Sequence, residues 1–262
     1  MNTHQKTYDH FSRVSSSYRK MRTTDKEPII FISESLKNLF GVKAADVGCG
    51  AGRYDLLLFQ NLNKLHLTCI DINDSMLQEA SNYLKNSGFS NFQTIKANAN
   101  EIPLEKNSLD CIFTFNAIHH FKINEFAKEC NRVLKNNGLL FIYTRSKDQN
   151  ESNIWGKFFP DFSKKENRLF DNHSLTERIS NQTSLNLKST ESFQHDRSSD
   201  IQTLVSKAEK KHYSTFSLYT VSEFEKSLGK FKQNIYHNFS NPENIQWFDG
   251  NTMFVFQKTI PN

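Results

Sequence analysis

An α/β fold is expected for this chain, a mostly parallel sheet with helices on both faces, and three observations lead to it. Between residues 42 and 146 short apolar runs alternate with helical patterns, the signature of parallel strands joined by crossover helices. The first of these runs ends in a glycine-rich turn that opens a helix. The chain of 262 residues is 37% hydrophobic and carries 23 Phe, enough to build a core with neither disulfide nor metal.

Taken in order, residues 42–47 form a first strand, 53–61 the start of a helix and 66–70 a second strand. Asp74 or Ser75 is expected to cap a helix running to about residue 86, because Met76, Ala80, Tyr83 and Leu84 share one face of it. Residues 92–97 and 109–115 supply a third and a fourth strand. A helix over 125–134 is closed by Asn136, Asn137 and Gly138, and a fifth strand covers 139–144. The polar stretch 172–200 is expected to be a variable connection. Beyond it, 201–211 and 221–228 are expected as helices, with 234–239 and 253–257 as an antiparallel pair of strands at a sheet edge.

Composition removes several classes. A formal charge of +5 is too small and too scattered to mark a nucleic-acid or membrane surface. The apolar runs are far shorter than the roughly 20 residues that cross a bilayer, so no membrane partner is expected. The first residues carry neither a basic start with an apolar stretch nor a small-residue cleavage site, so a cytoplasmic location is expected. Cys49, Cys69, Cys111 and Cys130 form no pair at metal-ligand spacing, in keeping with a reducing compartment and no bound metal.

The chemistry concentrates in Asp46-Val47-Gly48-Cys49-Gly50-Ala51-Gly52. Glycine is needed where a side chain would block a ligand or forbid a positive φ. Asp71 ends the second strand roughly 20 residues further on, where a carboxylate accepts both hydroxyls of a ribose. Asp46, two residues before the first glycine, is placed to receive a cationic amino group. The glycine spacing fits a diphosphate cradle poorly, so a nicotinamide dehydrogenase is disfavoured.

With these motifs in register, residues 40–145 resemble a class I S-adenosylmethionine-dependent methyltransferase of the broad small-molecule kind. The resemblance runs through DVGCGAG, CIDIN, IKANANEIPLEKNSLD, FNAIHHF and CNRVLKNNGLLFIY. It implies a Rossmann-like core that binds S-adenosylmethionine and releases S-adenosylhomocysteine. Gly48, Cys49, Gly50 and Gly52 would pass under the methionine part and the ribose, Asp46 would lie beside them, and Asp71 would hold the ribose. Ile72 and Met76 would flank the adenine, and Asn116 with Ala117 would line the cofactor at the end of the fourth strand. The family usually has an acidic residue where this chain has Asn98; the Asn98 amide oxygen and the Ala99 N–H remain able to meet the adenine. The segment with Tyr8, Phe11, Tyr18 and Arg22 is similar to the family's lid helices, and the spacing of Tyr18 and Arg22 puts both on one helix face over the cofactor.

His119 is a candidate general base and a wall of the substrate pocket, with loop hydrogen bonding as the plainer role. Since strand periodicity points His119 and His120 in opposite directions, one at most is expected to face the pocket unless the chain turns there. Trp155, Phe158, Phe159 and Phe162, among basic residues, leave open a largely apolar substrate wall, packing of an inserted cap, or a nucleic-acid surface. The expected organisation is a lid at 1–39, a cofactor-binding core at 40–146, an inserted cap with helices at 147–230 and closing strands at 231–262. The function it implies is methyl transfer to oxygen, nitrogen or carbon of a small molecule by a monomer or homodimer. An RNA methyltransferase and a non-catalytic cofactor-binding regulator are the alternatives.

Overall fold

Strands β1 (Val42–Val47), β2 (Leu65–Asp71), β3 (Phe92–Lys96), β4 (Leu109–Phe115), β5 (Leu134–Thr144), β6 (Leu185–Ser199) and β7 (Ile245–Lys258) join into one sheet in the order β3-β2-β1-β4-β5-β7-β6. The structure is a computed structural model that describes residues 3–260, the side chains of residues 3–7 and 20 excepted. β1 to β5 run parallel, while β7 is antiparallel to both β5 and β6. The strand order therefore reverses between β1 and β4. In open α/β sheets a ligand crevice forms there, outside the carboxyl ends of the strands.

Helices α1 (Thr3–Met21) and α2 (Glu27–Leu36) precede the sheet. α3 (Asp55–Asn61), α4 (Asp74–Asn86) and α5 (Ile123–Val133) cross over within it. Alternation along the strands feeds two cores. Ile112 and Ile142 face Phe126 and Cys130 of α5, whereas Phe113 and Phe141 face Ile29 and Ile32 of α2 with Leu58 of α3. A third core belongs to the segment after β5. There α6 (Lys147–Ser152), α7 (Ile154–Phe158) and α8 (Phe162–Lys165) are followed by α9 (Asn172–Ser180), α10 (Ile201–Glu209) and α11 (Val221–Asn238). Trp155, Phe159, Phe162, Phe216 and Phe231 pack this cap into a unit of its own beside the sheet.

Four local expectations are corrected. Asn73, not Asp74 or Ser75, caps α4, its side-chain oxygen accepting from the Met76 N–H at 3.1 Å. α5 ends at Val133 and the chain enters β5 at Leu134, so Asn136, Asn137 and Gly138 stand inside the strand span rather than closing the helix. Residues 234–239 belong to the end of α11 and its cap, because Phe231 and Ile235 continue a buried helical stripe begun by Leu228. The edge partner of β7 is β6, which lies in the polar stretch expected to be a connection. Its mostly exposed side chains hide a strand held by backbone pairing along β7. Among the described residues no helix is long and apolar enough to cross a membrane.

Candidate functional site

The turn after β1 is shaped by its backbone. Gly48, Gly50 and Gly52 have φ of 76°, 55° and 74°, and the N–H groups of Gly48 and Cys49 both donate to the Ile70 carbonyl, at 2.7 and 3.1 Å. A β-carbon on Gly48 would stand 2.6 Å from the Ala117 β-carbon and 2.9 Å from the Phe121 ring, so the loop after β4 presses directly on this turn. Asp71 braces it from β2. One carboxylate oxygen accepts from the Gly50 N–H and the other from the Asn73 N–H, both at 2.9 Å. Burial raises the Asp71 pKa and these two N–H groups oppose the rise. A carboxylate has about four acceptor sites, so two remain for ligand hydroxyls.

These elements line a cavity of about 460 Å³, floored by Gly48, Cys49 and Gly50 and walled by Asp71, Ile72, Met76, Asn98, Ala99 and Ala117. Met76 is buried, and Ile72, half exposed, stands at the rim. Asn98 turns its side-chain oxygen toward the Asn100 N–H at 3.3 Å, closing its own loop. Asp46 is buried in the same cavity with Oδ1 unpartnered. Burial and the neighbouring Asp55 push its pKa up. Asp55 in turn accepts from the Cys69 thiol at 3.2 Å. A buried acceptor left without a donor suits an incoming cationic group. The glycine floor, Asp71 and Asp46 thus fit the ribose, purine and amino acid ends of S-adenosylmethionine.

α1 covers this cavity. Arg19 donates to the carbonyls of Ala51 and Glu79, at 3.1 and 3.2 Å, pairs with the Glu79 carboxylate at 3.4 Å and lies 4.2 Å over the Tyr83 ring. Asn73 closes the other end, donating to the Tyr8 carbonyl and the Ser12 hydroxyl. Arg19 and Asn73 carry much of the assembly, yet sequence reasoning missed both. Asn73 could have been found from its capping position, whereas the reach of Arg19 to α4 has no local signal.

Beyond Tyr18, Asn116 and His119 lies a second, smaller cavity of about 160 Å³ that shares those side chains and Arg53 with the first. Its walls come from α1, the β5 end, the cap and β7, and they are polar. The pocket expected beside the aromatic cluster was largely apolar; this cavity is not. Arg22, expected at the cofactor, lines this second cavity, its guanidinium 4.1 Å over the Tyr213 ring and its Nε buried without a partner. Tyr18 stands between the cavities. The chain does turn at the histidines, forming a 3-10 turn over Ile118–His120, so both rings reach the shared wall, 4.1 Å apart. Burial lowers the His119 pKa to about 3 and holds His120 low, leaving both neutral near pH 7, and His119 Nδ1 has no partner.

Of the aromatic cluster, Trp155 touches the second cavity while stacking on Phe231 at 5.1 Å. Phe159 is buried in the cap core against Phe216, and Phe158 packs on Phe239 at the outer side. Phe158 and Phe159 were expected to form the pocket wall; packing draws them into the cap instead. Asp25, Glu27 and His195 bring ligand-type atoms within 4.8 Å of one another, although Asp25 is already bound by both oxygens to Arg197, at 2.8 and 2.9 Å.

Comparison with known proteins agrees with this geometry. Residues 45–142 match the family described as a methyltransferase domain. A ubiquinone/menaquinone biosynthesis C-methyltransferase of Rhizobium rhizogenes is 36% identical over 103 residues, 38% of this chain and 40% of that protein. A demethylmenaquinone methyltransferase of Listeria welshimeri is 26% identical over 143 residues, 52% of this chain and 61% of its own length. The chain thus matches less than two thirds of these relatives. Among solved structures, a protein described as a methyltransferase of an antibiotic biosynthesis pathway from Anabaena variabilis superposes with a TM-score of 0.67 at 19% identity, covering 92% of this chain and 99% of that one. A geranyl diphosphate methyltransferase in complex with S-adenosylmethionine gives 0.57 at 12% identity, covering 89% and 85%. With the glycine turn, the braced aspartate and the strand order in agreement, residues 45–142 constitute a methyltransferase domain of the S-adenosylmethionine-dependent class I fold.

Proposed function

We propose that the protein transfers a methyl group from S-adenosylmethionine to a small-molecule acceptor seated in the second cavity. The observation that carries this reading is the shared wall: Tyr18, Asn116 and His119 border both cavities, so a ligand in one meets a ligand in the other. When bound, S-adenosylmethionine supplies an electrophilic methyl carbon on its sulfonium.

The chain's own residues supply orientation and shelter from water. Asp71 and the glycine floor hold the ribose side, Asp46 meets the amino group, and Arg53, which lines both cavities, faces the carboxylate. Asn116 is held at φ 54° by its N–H to the Tyr143 carbonyl at 2.7 Å, and its side-chain oxygen accepts from Asn251 at 2.8 Å. That fixes the border between the cavities. His119, neutral and with Nδ1 free, accepts a hydrogen bond from an acceptor hydroxyl or amine when its proton sits on Nε2, which aims the attacking lone pair at the methyl carbon; the burial that keeps the ring neutral opposes its holding the departing proton, which passes on to water. The relatives named for quinone methylation support a small-molecule acceptor.

Two measurements test the reading. Calorimetry should show binding of S-adenosylhomocysteine. Incubation of metabolite extracts with methyl-labelled S-adenosylmethionine should yield a labelled small molecule that mass spectrometry identifies. Absence of cofactor binding, or label entering only RNA, would overturn it.

A further inference from the structure

The walls of the second cavity hold more positive charge than their carboxylates neutralise. Arg22, Arg53, Arg145, Arg197 and Lys207 line it, against Asp25, Glu166 and Asp249. Each of those carboxylates already has a cation. Asp25 takes Arg197 by both oxygens, and Asp249 takes Arg145 at 3.3 Å and Arg197 at 3.4 Å. Glu166 holds Arg168 at 2.5 Å. Among the described residues no carboxylate lies within ion-pair distance of Arg22 or Lys207. The histidines do not alter this balance at neutral pH, since burial keeps His119, His120 and His212 uncharged.

Two of the cavity's unsatisfied groups point the same way, and Asp249 Oδ1, also without a hydrogen bond, has Arg145 as its ion-pair partner. The buried side-chain atoms without a hydrogen-bond partner include Arg22 Nε and Trp247 Nε1, both from residues of this cavity. Both are obligate donors, and a buried donor without an acceptor is costly. Arg22 and Arg145 approach the same Tyr213 ring, at 4.1 and 5.7 Å, which holds two guanidinium groups of the lid and the sheet side by side. Planar guanidinium groups favour carboxylate and phosphate oxygens. The volume is also limiting: about 160 Å³ is close to the roughly 150 Å³ that accommodates a benzene ring.

From these features, and resting on the function proposed above, we infer that the methyl acceptor is a small anionic molecule whose carboxylate or phosphate is bound by Arg22 with Arg145 and Lys207. Arg22 is then an acceptor-recognition residue, and the cofactor's own carboxylate is left to Arg53. Because Arg22 directly follows α1, binding of the anion also fastens the lid.

The test is calorimetry on the full chain saturated with S-adenosylhomocysteine, with benzoate, phenyl phosphate and benzamide as probes. Either anion should bind at least tenfold more tightly than the neutral benzamide, and the tighter of the two identifies the headgroup. Arg22→Gln should weaken the anion at least tenfold and leave S-adenosylhomocysteine affinity within about twofold; Lys207→Gln should weaken the anion in the same direction if Arg22→Gln does not fold. Benzamide binding as tightly as the anions, no probe binding while S-adenosylhomocysteine binds, or Arg22→Gln weakening S-adenosylhomocysteine instead would overturn the inference while leaving the methyltransferase reading intact. Failure of S-adenosylhomocysteine itself to bind would overturn both.

Discussion

Arg19 donates from the lid helix to the carbonyl oxygen of Ala51 at 3.1 Å, so the element that covers the larger cavity is fastened to the loop that forms its floor. The same guanidinium reaches α4 through Glu79 and Tyr83, and Asn73 secures the lid two turns away. On the function proposed above, closure over the cofactor is coupled to the turn that would bind it.

Replacing Arg19 with Ala should loosen that coupling. A hydrogen bond from a charged group contributes about 1.5–3 kcal/mol, less where it is partly solvated, so S-adenosylhomocysteine binding should weaken by about 1–2 kcal/mol. Hydrogen exchange should show α1 losing its ligand-dependent protection. Unchanged affinity and protection would show that the lid closes without this contact.

On the proposed function Asp71 holds the ligand while also bracing the fold, since its oxygens accept from Gly50 and Asn73. Asp71→Ala should cost about 1.5–3 kcal/mol of cofactor affinity, and Asp71→Asn less, because its amide oxygen still accepts from one of the two N–H groups. Calorimetry on the two variants separates them; equal losses would assign the whole effect to charge.

The contact between Gly48 and Ala117 gives a paired test. Gly48→Ala forces a β-carbon to 2.6 Å from that of Ala117 at a φ of 76°, so stability should fall by about 2–4 kcal/mol. Adding Ala117→Gly removes the closer clash, and the double variant should recover part of the loss in thermal melting. Additive losses would show that the Ala117 contact does not contribute, leaving the Phe121 ring and the backbone strain as the causes.

The buried histidines set a pH dependence. His119 falls to about 3 and His10 to about 4 in the folded protein, against about 6.5 when unfolded. The unfolded chain thus binds more protons between those values. Stability from these groups is complete above pH 6.5 and is lost as pH falls through that window, by at most about 1.4 kcal/mol per pH unit for each histidine. Denaturant midpoints measured from pH 7 to 4 should decline, and His119→Gln should flatten the decline. A stability that rose on acidification would refute this assignment.

The glycine turn, Asp71 and the parallel strands were legible in sequence because each depends on short-range constraints: positive φ at a turn, a carboxylate at a strand end, alternation along a buried strand. Elsewhere local pattern misled. β6 looked like a connection because an edge strand exposes most of its side chains and is held by backbone pairing that composition does not reveal. Trp155, Phe158 and Phe159 signalled an apolar surface. Phe159 and Phe158 found their partners in Phe216 and Phe239, far along the chain.

By itself, then, the sequence determined the glycine turn and its aspartate, the proposed cofactor half of the site, whose residues lie close together along the chain and are joined by backbone geometry. Tertiary structure alone decided the second cavity, the proposed acceptor half. Arg22, His119, Arg145 and Tyr213 come from the lid, the end of β4, the end of β5 and the cap, and they meet only because long-range packing brings those elements together. Whether a charged side chain is neutralised or left for a ligand depends on which partners that packing supplies: Arg197 meets Asp25 across the fold, whereas Arg22 meets an aromatic ring.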